Sequence, residues 1–428
     1  MRPRSLRRRE VLRLGAFGAA ALACRSAAPL PSPTATATPT AAVSPAAPSA
    51  SPPPSPSPPA SGGVVIRAGA FADGRSASPV RNVSLVIRDG LVAYLGPRDG
   101  EPATRDAEIV DLPGATLVPG FVDCHSHFTG PGGLDYLQRL QDPEPVLLAR
   151  AEENARTLVR SGVLAARDVG AVNALNVRIR DAFRGRHDAP IIVAAGTWIG
   201  RRGRYVDFAV QVGSAEELRA AALAQLDGGA DLVKIAVDGA TRSGPTFTAS
   251  ELRPAVDAVH ARGKRVAVHS QGFGSRVAAE AGVDTIDHGY TIEPDTAERM
   301  RGRTALVSTL SVPVAFNNAT ELALGVASVK TAHAAGVRIA TGTDFGGGPP
   351  KAGNFALELE LLVRAGLDPF EALGAATYVA GEVIGVAGVG TLAVGAAADV
   401  VAVEGDILSD ITAARRVKAV FRSGERVL

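Results

Sequence analysis

Cysteine is almost missing from this chain: of 428 residues only Cys24 and Cys124 are cysteines, so no disulfide framework can hold the fold. Aromatic residues are scarce, at 4% against 46% hydrophobic overall. Aliphatic side chains and alanine must therefore fill the core, as suits layered α/β architecture. The apolar stretch ending at Ala23 has about a dozen residues, short of the roughly 20 that a membrane span needs. Strong charge of either sign is also lacking. The formal +2 arises because residues 1–25 carry seven arginines and one acid; without them Lys+Arg falls from 45 to 38 and Asp+Glu from 43 to 42, leaving −4. No basic footprint for nucleic acid remains.

What is present begins with an export pattern. Arg7-Arg8-Arg9-Glu10 and the Ala-rich stretch behind it have the basic and apolar regions of a signal peptide, over residues 1–24. Arg8-Arg9-Glu10-Val11-Leu12 resembles the twin-arginine signal. Ala21-Leu22-Ala23-Cys24 resembles a lipoprotein cleavage box, with Ala21 where leucine is expected, so Cys24 is a candidate membrane tether through lipidation. Residues 25–63 are a linker made almost wholly of Pro, Ser, Thr and Ala from residue 31 on. Such a composition cannot bury enough apolar surface to fold and makes an extended spacer. An exported protein, periplasmic or at the cell surface, is expected.

The remainder divides into two parts. Residues 64–117 read as short strands broken by turns such as Asp89-Gly90, and residues 390–428 supply further strands around the Ser423-Gly424 turn. These two ends are expected to form one small β-sandwich-like domain. Residues 118–389 alternate short apolar runs with helical patterns, the signature of a βα repeat. Candidate strands fall at 116–127, 163–169, 190–195, 231–237, 265–269, 285–288, 305–310 and 337–344. Helices are expected at 145–160, 215–226, 249–261 and 319–335. Eight strands predict a (β/α)8 TIM barrel, whose chemistry lies at the C-terminal strand ends.

Chemistry-bearing residues sit at those ends. His125 and His127, in Phe121-Val122-Asp123-Cys124-His125-Ser126-His127, are two apart and share a face with Asp123, so two imidazoles can meet one metal. Cys124 points the other way and reads as a small buried residue. Lys234 lies in an apolar run, where an unpaired charge is costly and desolvation lowers its pKa. A neutral amine can react with carbon dioxide to give a carbamate able to bridge two cations; pairing with Asp231 or Asp238 is the plainer alternative. His269, His288 and Asp344 each close a strand. The loops beyond strands three and four hold Trp198, Arg201, Arg202, Arg204, Tyr205 and Arg242; the arginines are candidates to clamp a substrate carboxylate, and Tyr205 is a further candidate to contact substrate. His187, His260 and His333 fall in a loop or on helices and read as surface residues.

The order His-x-His, Lys, His, His, Asp at the ends of strands one, four, five, six and eight resembles the amidohydrolase superfamily. Leu117-Val118-Pro119-Gly120 before the ligands and Gly395-Ala396-Ala397-Ala398-Asp399 near the end match it too. Gly162-Val163, Arg167-Asp168-Val169-Gly170 and Ala281-Gly282-Val283-Asp284 are most similar to the imidazolonepropionase-like branch, which includes metal-dependent Xaa-Pro dipeptidases. The resemblance implies two divalent cations, zinc foremost, acting on a small-molecule or dipeptide substrate. One is held by His125, His127 and Asp344, the other by His269 and His288, with carbamylated Lys234 and a hydroxide between them. Cations of this kind activate water and polarise a carbonyl, and Asp344 is implied as general base and then acid.

Imidazolonepropionase itself is mononuclear and lacks the lysine, so Lys234 points to the binuclear, dipeptidase-like side. One position departs from that pattern: where dipeptidase relatives often carry a tyrosine, this chain has Ser270-Gln271-Gly272, and Gln271 becomes the candidate donor to the substrate carbonyl. Two readings compete: a mononuclear deaminase or cyclic-amide hydrolase on the same fold, and a non-catalytic ligand-binding surface lipoprotein. An oligomer is compatible with the sequence.

Overall fold

The computed structural model describes residues 62–239 and 244–428. The leader, Cys24, most of the linker and Arg242 lie outside the described residues. Among those described, no helix is long and apolar enough to cross a membrane.

Seventeen strands order the described chain: β1 (Val64–Phe71), β2 (Val80–Arg88), β3 (Leu91–Pro97), β4 (Glu108–Pro119), β5 (Phe121–Ser126), β6 (Val163–Asp168), β7 (Ile191–Ala194), β8 (Ile199–Arg201), β9 (Val210–Val212), β10 (Leu232–Ala236), β11 (Arg265–Ser270), β12 (Thr285–His288), β13 (Ala305–Ser308), β14 (Ile339–Thr341), β15 (Val400–Glu404), β16 (Val417–Arg422) and β17 (Glu425–Arg426). Both ends of the folded chain share one sheet, in the order β17-β16-β15-β4-β1-β2-β3. It curls back on itself, because Val92 exchanges backbone hydrogen bonds with Gly395 and Ala396 at 2.8 and 2.9 Å. The curled faces enclose Ile66, Leu85, Leu117, Val400 and Phe421, giving the sandwich-like domain.

The barrel strands are β5, β6, β7 and β10–β14, joined in parallel. Asp231 N donates to Ala194 O at 2.8 Å, linking β7 to the start of β10. Closure comes where Asp344 N donates to His125 O at 2.8 Å and His127 N to Phe345 O at 2.9 Å. Strands such as Leu-Val-Lys-Ile-Ala are buried along their whole length, because side chains fill the barrel on one face and helices cover the other. Two helices start on side-chain caps that satisfy free N–H groups: Thr248 and Glu251 form a reciprocal box, as do Asp368 and Glu371.

Two expectations change. The run 116–127 is not one strand: Thr116–Pro119 pairs with β1 and β15, and Phe121 N turns to Gly162 O to open the barrel. Gly120 sits at that switch, where a Cβ would stand 2.7 Å from the Leu164 side chain. The segment after β7 is not plain loop either, since β8 adds to β10 and β9 to β8.

Candidate active site

Closing the barrel builds the site. His125 and His127 come from β5, and Asp344 follows β14, its hydrogen-bonded neighbour. Asp344 Oδ1 lies 3.3 Å from His125 Nε2 and 3.2 Å from His127 Nε2. Asp123 fixes this arrangement: its carboxylate accepts from His125 N at 3.1 Å, Thr343 N at 3.0 Å and Thr343 Oγ1 at 2.5 Å. Burial raises the Asp123 carboxyl to about 6, against those hydrogen bonds. Gly347 leaves room beside the pair, for a Cβ there would stand 1.9 Å from Asp344 Oδ1.

His269 and His288, ending β11 and β12, face the same centre. Their ring centroids are 4.6 Å apart, and His288 is 4.8 Å from His125. Burial, then the Lys234 charge, pushes His269 down to about 3; burial, then His269, holds His288 well below its usual value. Both rings are therefore neutral, the form that binds metal. His127 Nδ1 meets Gly170 O at 2.8 Å and His288 Nδ1 meets Thr309 Oγ1 at 2.8 Å, contacts that orient imidazoles and leave Nε2 free. His288 and Asp344 have left-handed φ values of 72° and 53°. Such non-glycine strain collects at functional sites.

The donor set fits a divalent cation. His125, His127 and Asp344 offer one ligand atom each, all within 4.8 Å of one another. Asp344 Oδ1 and His125 Nδ1 are buried without a hydrogen bond; the latter lies 3.2 Å from Asp287 Oδ2 but poorly aligned. Buried polar atoms left unmatched cost free energy. Burial would raise the Asp344 carboxyl, yet His125 and His127 hold it well below the carboxylate range, so it is an anion ready to coordinate.

Lys234 is buried beneath the histidines and lines the same cavity. It pairs with neither Asp231, which accepts from Arg180, nor Asp238, which accepts from Gly272 N, Gly274 N and Ser270 Oγ. Its partner is Asp287. Burial lowers the Lys234 amine although Asp287 opposes it. Arg167 holds the other Asp287 oxygen at 2.9 Å.

The cavity over these residues measures about 940 Å³. Gln271 and Tyr205 line it, and the Tyr205 ring lies 5.1 Å from His269. The three described arginine candidates do not. Arg201 is taken by Thr246 O, Gly213 O and the Glu251 carboxylate, because β8 turns it toward the helix Ala249–His260. Arg202 pairs with Glu217 at 3.0 Å, and Arg204 is exposed outside the lining. Arg139, not singled out in the sequence, does line the cavity, with Trp198, Tyr136 and Phe316. Cys124 is buried, 3.6 Å from Ala380 O. His187, His260 and His333 pair with Glu425, Asp284 and Glu371 away from the site.

The amidohydrolase family model matches residues 116–427. This chain belongs to the amidohydrolase family. It is an enzyme, a hydrolase acting on carbon–nitrogen bonds. Among its curated relatives, ochratoxinase of Aspergillus niger is 28% identical, over 83% of this chain and 84% of that one. Imidazolonepropionase of Deinococcus deserti is 28% identical, over 82% of this chain and 94% of that one. A solved Xaa-Pro dipeptidase with methionine in its active site superposes with a TM-score of 0.76 and 26% identity, over 85% of this amidohydrolase and 99% of that chain.

Proposed function

We propose that this amidohydrolase is an exported enzyme holding two divalent cations, and that it cleaves amide or dipeptide-type bonds with Asp344 as base and then acid. The observation that carries this reading is Asp344 Oδ1: buried, unbonded and 3.2–3.3 Å from two imidazole nitrogens. His125, His127 and Asp344 would hold one cation and His269 and His288 the other, with Lys234, carbamylated by carbon dioxide, as a further ligand. Zinc suits this nitrogen and oxygen donor set. When bound, the cations lower the pKa of water and polarise the scissile carbonyl.

The chain's own groups do the rest. Asp344 takes the proton of the attacking water and returns it to the leaving nitrogen. Gln271 donates a hydrogen bond to the carbonyl oxygen from the cavity wall. Replacing Asp344 with Asn removes the proton carrier and lowers kcat by roughly 100-fold or more. A panel of amides and dipeptides, assayed with metal-loaded wild type and this variant, tests the reading; no turnover of any member refutes it.

The Lys234–Asp287 pair supports a second reading, one cation and a structural lysine, as in a mononuclear deaminase or cyclic-amide hydrolase. Metal counting separates the two. Export rests on the leader: with Arg8 and Arg9 both changed to Lys, the protein should stay in the cytoplasm, and unchanged export counts against the twin-arginine route. Loss of labelled palmitate incorporation in Cys24→Ser tests the lipid tether.

A further inference from the structure

Among the described residues, Arg139 is a buried cation with no ion-pair partner. It sits in the short 3-10 turn Tyr136–Leu140, is 7% exposed, and lines the cavity over the histidines. Its Nη1 is buried and has no hydrogen-bond partner, and no carboxylate pairs with it among the described residues. The Trp198 indole supports it, with Arg139 Cζ 5.6 Å from the ring centroid. That same indole lies 4.9 Å from the His127 ring, so guanidinium and imidazole flank one aromatic wall. Trp198 can sit there because Gly170 has no side chain; a Cβ would stand 2.7 Å from the indole. A buried guanidinium left unpaired is costly, and its planar fork matches a carboxylate bidentately.

We infer that Arg139 binds the free carboxylate of the substrate's leaving amino acid, so that the enzyme cleaves N-acyl amino acids or dipeptides with an unblocked C-terminus. This rests on the amide-hydrolase reading above and narrows its substrate class. In such a substrate the carboxylate lies close to the scissile amide, one residue beyond it, and Trp198 contacts both His127 at the metal-binding end and Arg139. Tyr136, Trp198 and Phe208 line the wall beside it, so an apolar or aromatic side chain is favoured on the leaving residue. On the loop beyond β7, Arg201 and Arg202 are paired with Glu251 and Glu217 and Arg204 is exposed outside the cavity lining, so among the described arginines it is Arg139 that lines the cavity.

The test pairs each acid with its carboxamide. A panel of N-acyl amino acids and dipeptides ending in Phe or Leu, and their C-terminal carboxamides, is assayed with metal-loaded wild type, Arg139→Met and Arg139→Lys. Binding of 3-phenylpropanoate and 3-phenylpropanamide is measured by calorimetry in parallel. Wild type is expected to prefer acids by on the order of 100-fold in kcat/KM. In Arg139→Met that preference falls to a few-fold, chiefly through KM, and 3-phenylpropanoate binding weakens by a similar factor; Arg139→Lys keeps part of both. Equal losses on acid and carboxamide, or an unchanged preference, overturn the inference and leave Arg139 a structural partner of Trp198. If wild type cleaves nothing in the panel, the amide-hydrolase reading falls. The binding arm then decides alone: equal affinity for acid and amide, or no effect of Arg139→Met, refutes the carboxylate site.

Discussion

Arg167 Nη2 donates to Asp287 Oδ1 at 2.9 Å, and both side chains are sealed inside the barrel. Arg167 also donates to Cys124 O at 2.6 Å and Thr285 Oγ1 at 3.1 Å, so its guanidinium ties β5, β6 and β12 together beneath the site. Opposite charges hold Asp287 well below the carboxylate range, although burial pulls the other way. Arg167→Met leaves a buried carboxylate short of its partner, which costs roughly 3–5 kcal/mol. Urea unfolding of the variant should show a loss of that size; a change under about 1 kcal/mol would mean that Lys234 alone satisfies Asp287.

Asp123 positions the site without touching the cavity. Removing its carboxylate in Asp123→Ala strands the His125 N–H, the Thr343 N–H and the Thr343 hydroxyl. Metal affinity, read by titration against a chelator, should fall by roughly 10- to 100-fold, the usual effect of losing a group that orients ligands. Unchanged affinity would show that β5 holds His125 in place by itself.

Gly347→Ala is a steric test. Its Cβ would fall 1.9 Å from Asp344 Oδ1 and 2.4 Å from His127 Cδ2. Metal uptake should be lost, while thermal unfolding of the metal-free protein changes little, since the clash lies in the site rather than the core. Normal metal content in the variant would contradict the arrangement.

The metal-free protein should weaken in mild acid. His269 has a folded pKa of about 3 against 6.5 unfolded, so between these values the unfolded chain takes up a proton that the folded one refuses. Stability then falls as pH drops from 6.5 toward 3, by at most about 1.4 kcal/mol per unit for this residue. His288 shifts in the same direction. Calorimetry across pH 7 to 4 should show a falling Tm, with a shallower fall in His269→Asn; equal slopes would refute burial as the cause.

The metal-binding residue types were legible because they lie in or just beyond barrel strands, where barrel geometry brings distant segments together. Asp287 escaped notice because regular alternation sends neighbours to opposite faces, and His288 takes the mouth. His288's left-handed φ ends the strand and lets both residues serve the interior. Arg139 lies in a turn with no periodic pattern, and only the folded chain reveals that it lacks a partner. The arginines after β7 misled for the opposite reason: they share a loop with the mouth, but local acids had already claimed Arg201 and Arg202. The switch at Gly120 was hidden because the apolar run continues through it while its pairing partner changes.

Metal content of wild type and Lys234→Ala, measured by plasma mass spectrometry after reconstitution with zinc and bicarbonate, tests the binuclear centre most directly. Two equivalents per chain in wild type, falling to one or none with loss of amide hydrolysis in Lys234→Ala, is the predicted result. One equivalent in wild type, or two retained without Lys234, would contradict it.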